Sequence, residues 1–254
     1  MPETGWVILV TSPDSRRLAV FFGVLVLAAI ALSASIRVTE LGVLTLASVY
    51  MFSPLVAGVV VCLIHDISFA TVGVRLGRPR WLIVAALVSL PLVVLTLAIA
   101  LVIPGIGFDP TIDPLPGVTL PGGILGVGAM FGVILALGAT VNAVFAFGEE
   151  FGWRGYLLWE LAPLGFWRAT GVIGAIWGLW HAPAIVVGYN FPSYPLVGVF
   201  VMMLAGIALS PVYTYLVLRA KSVFAAALLH GVFNGSAGLV IAFAVTEGPI
   251  QREL

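Results

Sequence analysis

The chain has 254 residues, 61% of them hydrophobic and 9% charged, and its 11 basic side chains are balanced by 11 acidic ones. Soluble domains carry about 25% charged residues, so this composition excludes an ordinary soluble enzyme, a disordered chain and, with no basic excess, a nucleic-acid binder. The single cysteine, Cys62, excludes a disulfide scaffold, a cysteine-rich zinc site and an iron–sulfur cluster. What remains, with a mean hydropathy of +1.19, is an integral membrane protein.

A helix that crosses a bilayer needs about 20 mostly apolar residues. In chain order, runs of that kind fall near 18–36, 41–64, 81–103, 122–147 or beyond, 169–188, 196–218 and 222–244. They are rich in Leu, Val, Ala and Gly and lack the period-2 alternation of an outer-membrane strand. The expected fold is therefore all-α: a polytopic transmembrane helical bundle of about seven to eight spans in a single domain, 1–254. An interfacial helix at 66–78 or a re-entrant piece at 149–165 would change the count by one. The first run follows Arg16-Arg17 and exceeds the roughly 7–15 apolar residues of a secretory signal, so it reads as a retained anchor.

Basic residues predict the orientation. Arg16, Arg17, Arg75, Arg78, Arg80, Arg154, Arg168, Arg219 and Lys221 fall before the first run or in alternate loops, while Arg37 and Arg252 fall on the other side. A nine-to-two split puts the N-terminus in the cytoplasm. The 104–120 loop carries Asp109, Asp113 and several prolines without a basic residue, as an outer loop should.

In so apolar a chain the ionisable groups inside spans are the informative ones, because each costs about 2.5–3.5 kcal/mol at a helix centre. Three segments hold them. In Gly148-Glu149-Glu150-Phe151-Gly152-Trp153-Arg154, Glu150 and Arg154 stand at i and i+4 and can pair, while Glu149 is rotated by about 100° toward another neighbour. The competing reading is a surface ion pair at a helix end. In Trp177-Gly178-Leu179-Trp180-His181, the histidine is roughly 20 Å along its helix from Arg168, flanked by two indoles; a structural histidine is the alternative. In His230-Gly231-Val232-Phe233-Asn234, His230 and Asn234 share a helix face, and interhelical hydrogen-bond glue is the alternative.

The joint pattern is stronger than its parts. If the fourth span continues to about Leu161, Glu149 sits roughly 15–18 Å from its cytoplasmic end. Glu149, His181 and His230 then share a depth, with Asn234 one turn further in, and form one polar pocket. Gly148, Gly152, Gly155, Gly174, Gly178, Gly231 and Gly235 lie near these residues and would allow close helix approach.

The three segments resemble the motifs of the CPBP family, which contains the type 2 CAAX prenyl proteases, the Abi proteins and the Ras-converting endopeptidase. Its pattern is Glu-Glu-x-x-x-Arg, aromatic-x-x-x-His and His-x-x-x-Asn or Asp. Here these read Glu149-Glu150-x-x-x-Arg154, Trp177-x-x-x-His181 and His230-x-x-x-Asn234. The second motif usually begins with Phe, so Trp177 is a departure. The motif-bearing core covers about 120–245. The resemblance implies an intramembrane endopeptidase whose site opens toward the cytoplasmic leaflet. Glu149 and His181 would activate a water, His230 and Asn234 would donate to the oxyanion, and Glu150 and Arg154 would orient them.

Trp177 and Trp180 are expected to wall a substrate pocket. The resemblance implies a membrane-associated peptide or protein substrate, with prenylated chains among the candidates, and no nucleic acid. No cofactor is expected, although Glu plus two His is also an acceptable zinc set. Two other classes fit the same residues less well: a non-catalytic immunity or chaperone-like membrane protein, and a proton-coupled transporter built on buried Glu and His.

Overall fold

The computed structural model describes residues 10–108, 121 and 123–246. The chain is a helical bundle. Helix α1 (Ser15–Val38) begins at Asp14, whose side chain accepts from the backbone N–H groups of Arg16 and Arg17. Those donors, Arg17 first, hold the Asp14 carboxyl below its ordinary range. The second expected run is broken into α2 (Val43–Tyr50) and α3 (Ser53–Ile64), with Pro54 in the first turn of α3. Proline fits there because first-turn N–H groups have no intrahelical partner. Helix α4 (Pro79–Ala100) follows. The segment between α3 and α4 forms turns, so the interfacial helix considered for 66–78 is absent among the described residues.

The fourth run is one continuous rod. It comprises α5 (Gly123–Leu137), α6 (Ala143–Glu150) and α7 (Leu158–Leu161), joined by π-helical turns at Gly138–Asn142 and Phe151–Leu157 and ended by a 3-10 turn, Ala162–Leu164. The piece at 149–164 therefore continues the rod as helix. Its apolar span, Leu125–Leu164, has 40 residues, roughly 60 Å of helix against about 30 Å of hydrocarbon. The π turns, which bracket the Glu149-Glu150 pair, are where such a rod can bend.

Helix α8 (Phe166–Trp180) is shorter than the fifth run predicted. It stops at His181 and passes into α9 (Ala182–Ile185). Pro183 supplies the reason: it has no N–H to continue the α8 ladder. Helices α10 (Pro195–Ala220) and α11 (Phe224–Phe243) complete the bundle. A short antiparallel ribbon pairs β1 (Ile106–Phe108) with β2 (Ala244–Thr246), Ile106 facing Thr246. The acidic loop expected over 104–120 lies outside the described residues from 109 onward.

Among the described residues, five helices are long and apolar enough to cross a membrane, which makes this an integral membrane protein. The sequence leads to an expectation of seven to eight spans; α8 is shorter than its run, and α11, with 20 residues, occupies the last one.

Small residues set the helix spacing. A Cβ on Gly174 would meet the Gly206 carbonyl oxygen at 2.5 Å, and one on Gly178 the Met202 carbonyl oxygen at 2.5 Å. Thr170, one turn before Gly174, bonds to Ser210 and Thr214 on α10 at 3.1 and 2.8 Å. Helices α8 and α10 are thus joined by a stripe of glycine and hydroxyl groups, the packing that substitutes for hydrophobic burial between membrane helices. The glutamate-bearing rod packs on α3 in the same way: a Cβ on Gly152 would lie 2.5 Å from the Pro54 carbonyl oxygen.

One end of the bundle gathers many of the charges. Glu160, fully buried, accepts Arg17 Nε at 2.7 Å and Arg17 Nη2 at 3.0 Å, together with the Asp14 backbone N–H and the Tyr156 hydroxyl. Arg75 Nε donates to the Lys221 carbonyl, and the Arg78 N–H to the Ala220 carbonyl. Arg154 does not belong with them. Read from sequence as a loop residue, it lies inside the rod with no exposed surface, because Glu150 one turn earlier neutralises it. Eight basic residues then remain on the side that carried nine.

Candidate active site

The sequence around Glu149 continues helical because the rod offers no breaker between Ala143 and Leu161, only glycines that clear space for neighbours. Both glutamates are buried, Glu149 at 2% exposure and Glu150 at 0%, and each finds a separate partner. Arg154 Nη1 donates to both oxygens of Glu150 at 3.0 Å. His230, from α11, places Nδ1 2.9 Å from Glu150 Oε1. Trp177, from α8, donates its indole N–H to Glu149 Oε2 at 2.8 Å.

The Arg154 guanidinium lies between two rings, 4.3 Å from the Trp177 centroid and 4.5 Å from that of Tyr213. Its Nε and Nη2 have no hydrogen-bond partner among the described residues; these aromatic faces meet the charge instead. Arg154 thus approaches Glu150 from one side and His230 from the other. A carboxylate only accepts, so His230 Nδ1 carries the proton of that bond, and Nε2 points elsewhere.

His181 follows immediately on α8 and is half-buried. Its Nδ1 lies 2.8 Å from the Trp177 carbonyl oxygen. A carbonyl also only accepts, so Nδ1 is the donor and Nε2 of the neutral ring keeps a free lone pair. The ring meets Trp180 edge-on, centroids 4.8 Å apart, and Trp177 at 5.8 Å. His230 meets Trp177 edge-on at 5.6 Å and Tyr213 at 5.8 Å.

The structure thus gathers Glu149, Glu150, Arg154, Trp177, His181 and His230 into one cluster. Asn234 stands apart: it lies one turn along α11 from His230, exposed, and makes no hydrogen bond with the described residues. Trp180, buried at 8% exposure, stacks on Tyr50 at 4.6 Å and donates its indole N–H to Ser53 Oγ at 3.1 Å.

Tyr213 was not legible as a site residue. It belongs to no motif, and its only sequence signal is a polar aromatic beside Ser210 and Thr214 in a span. Ser53 and Tyr50 were equally silent, being ordinary residues of a run read as one helix.

Among the described residues no three His, Cys, Asp or Glu side chains stand close enough together to hold a metal ion. One nitrogen of His230 is taken by Glu150 and one oxygen of Glu149 by Trp177.

A membrane-embedded helical bundle with buried carboxylates and imidazoles, each oriented by a second polar group, defines the class: a polytopic membrane protein with an interior polar site. A family model described as type II CAAX prenyl endopeptidase, Rce1-like, matches residues 128–236. That segment carries all three motifs, and over it the chain is similar to this family of membrane proteases. No curated protein matches the chain.

Proposed function

We propose that the protein is an intramembrane endopeptidase that hydrolyses a peptide bond with a water activated by Glu149 and His181. The observation that carries the reading is the attachment of both groups to one residue: Trp177 holds Glu149 through its indole and His181 through its carbonyl. Glu149 Oε1 accepts no hydrogen bond from the described residues and is free to take a proton from water. The water oxygen attacks the scissile carbonyl carbon as the proton passes to Glu149. The same proton goes on from Glu149 to the departing amine as the carbon–nitrogen bond breaks.

Negative charge then develops on the carbonyl oxygen. His230, when protonated, donates from Nε2, and Asn234 offers a carboxamide not engaged by the described residues. Such donors are worth about 3–4 kcal/mol each in a water-poor site. Glu150 and Arg154 act through His230. No step requires a metal ion.

A cavity of about 340 Å³ between α1 and the α2–α3 pair is lined by apolar residues and by Tyr50, Phe52 and Ser53, beside Trp180. It suits a hydrophobic or lipidated segment of a membrane-associated substrate, prenylated chains included. The charged end of the bundle, with Arg17, Arg75 and Lys221, is the end we assign to the cytoplasm, following the bias of basic residues.

The test is cleavage of a panel of prenylated and unprenylated peptides by the detergent-solubilised protein, with Glu149→Ala and His181→Ala compared, each with and without a chelator. Loss of activity by about 10³-fold or more in both variants, with chelator-insensitive wild type, is the expected result. Undiminished cleavage by both variants would remove the assignment.

A further inference from the structure

The sequence suggested that Trp177 walls a substrate pocket. Its surroundings point to a different task. The residue is 7% exposed and touches the polar cluster at four places. Its indole N–H donates to Glu149 Oε2 at 2.8 Å, and its carbonyl accepts from His181 Nδ1. Its face covers the Arg154 guanidinium at 4.3 Å, and it meets the His230 ring edge-on. The Trp177 indole is the one hydrogen-bond donor to the Glu149 carboxylate among the described residues.

Two physical consequences follow from that geometry. A hydrogen bond to one oxygen of a carboxylate fixes the plane of the group, so Oε1 keeps one direction in which to meet water. A single residue that anchors both the acid and the imidazole also fixes the distance between them, since indole and carbonyl belong to one rigid helical position. The α8 helix is itself locked to α10 through Gly174 and Gly178, so the anchor is not free to drift.

We infer that Trp177 is a positioning residue of the hydrolytic site, acting through the indole N–H on Glu149. The inference rests on the proposed endopeptidase reading and goes beyond it by assigning the orientation of the base to one donor atom.

The test removes that atom alone. Trp177 is replaced, by nonsense suppression in the full chain, with β-(3-benzothienyl)alanine, in which sulfur stands for the indole N–H; Trp177→Phe is made beside it. The isostere keeps the ring over Arg154 and the carbonyl to His181. The expected result is a fall in kcat of about 10- to 100-fold, the value of one charge-assisted hydrogen bond. KM should stay within about twofold and the melting temperature within about 2 °C of wild type. An unchanged kcat in the isostere overturns the inference and leaves the protease reading standing. A raised KM at unchanged kcat also overturns it and returns Trp177 to the substrate pocket. A wild-type protein that cleaves no peptide of the panel overturns both.

Discussion

At the scale of single residues, the two adjacent glutamates are separated by what they face. Glu150 is enclosed by Arg154 and His230, and removing one member of such a buried set leaves the other charge uncompensated, at about 3–5 kcal/mol. Glu150→Ala is therefore expected to lower the melting temperature in detergent sharply. The double change Glu150→Leu with Arg154→Met replaces the pair by apolar groups of similar bulk and should recover much of the stability without recovering cleavage. Recovery of activity in the double variant would show that the pair serves packing alone. Tyr213, stacked beside Arg154 with its hydroxyl unpartnered among the described residues, contributes its ring: Tyr213→Phe is expected to be nearly neutral in stability and rate.

At the scale of elements, the site exists because helices come closer than ordinary side chains permit. The contact of Gly152 with Pro54 sets the distance between the rod and α3, and neither backbone can yield without moving Glu149 and Glu150. Gly152→Ala is expected to destabilise the protein by about 1–3 kcal/mol, as overpacking does, and to reduce activity. Gly171→Ala is the control, since a Cβ there meets nothing within 4 Å; alanine's better helix propensity should leave stability equal or slightly raised. Thermal unfolding of both variants separates contact from propensity. The π turns before and after the glutamates add a residue to each turn, which alters the helix phase on either side of α6.

At the scale of the whole molecule, Arg80 at the start of α4 and the ribbon strand β1 that follows α4 lie at opposite ends of that helix. Cys62 is buried at 1% exposure, so a thiol introduced elsewhere reports without a large background. In sealed, oriented vesicles, Arg80→Cys is expected to react with a membrane-impermeant maleimide from the cytoplasmic face, and Phe108→Cys from the opposite face. Labelling of both from one face would contradict the orientation proposed here. The Arg17–Glu160 pair joins the start of α1 to the end of the rod, and so ties the N-terminal helices, which carry no motif, to the helices that do.

Much was legible in the chain alone. Scarce charge and long apolar runs determine a membrane protein, because hydrocarbon admits only helices or closed barrels and the runs do not alternate. Periodicity put Glu150 and Arg154 on one face, and the three motifs carried the family resemblance. Partner choice across helices was beyond sequence, because it depends on which rods touch. Only the tertiary structure put Trp177 against Glu149, gave His230 to Glu150 and withdrew Arg154 from the surface. It also shortened α8 at Pro183 and left Asn234 exposed. Those outcomes are set by helix crossings a few tenths of an ångström from steric contact, and a one-dimensional pattern carries no information about distances between its segments.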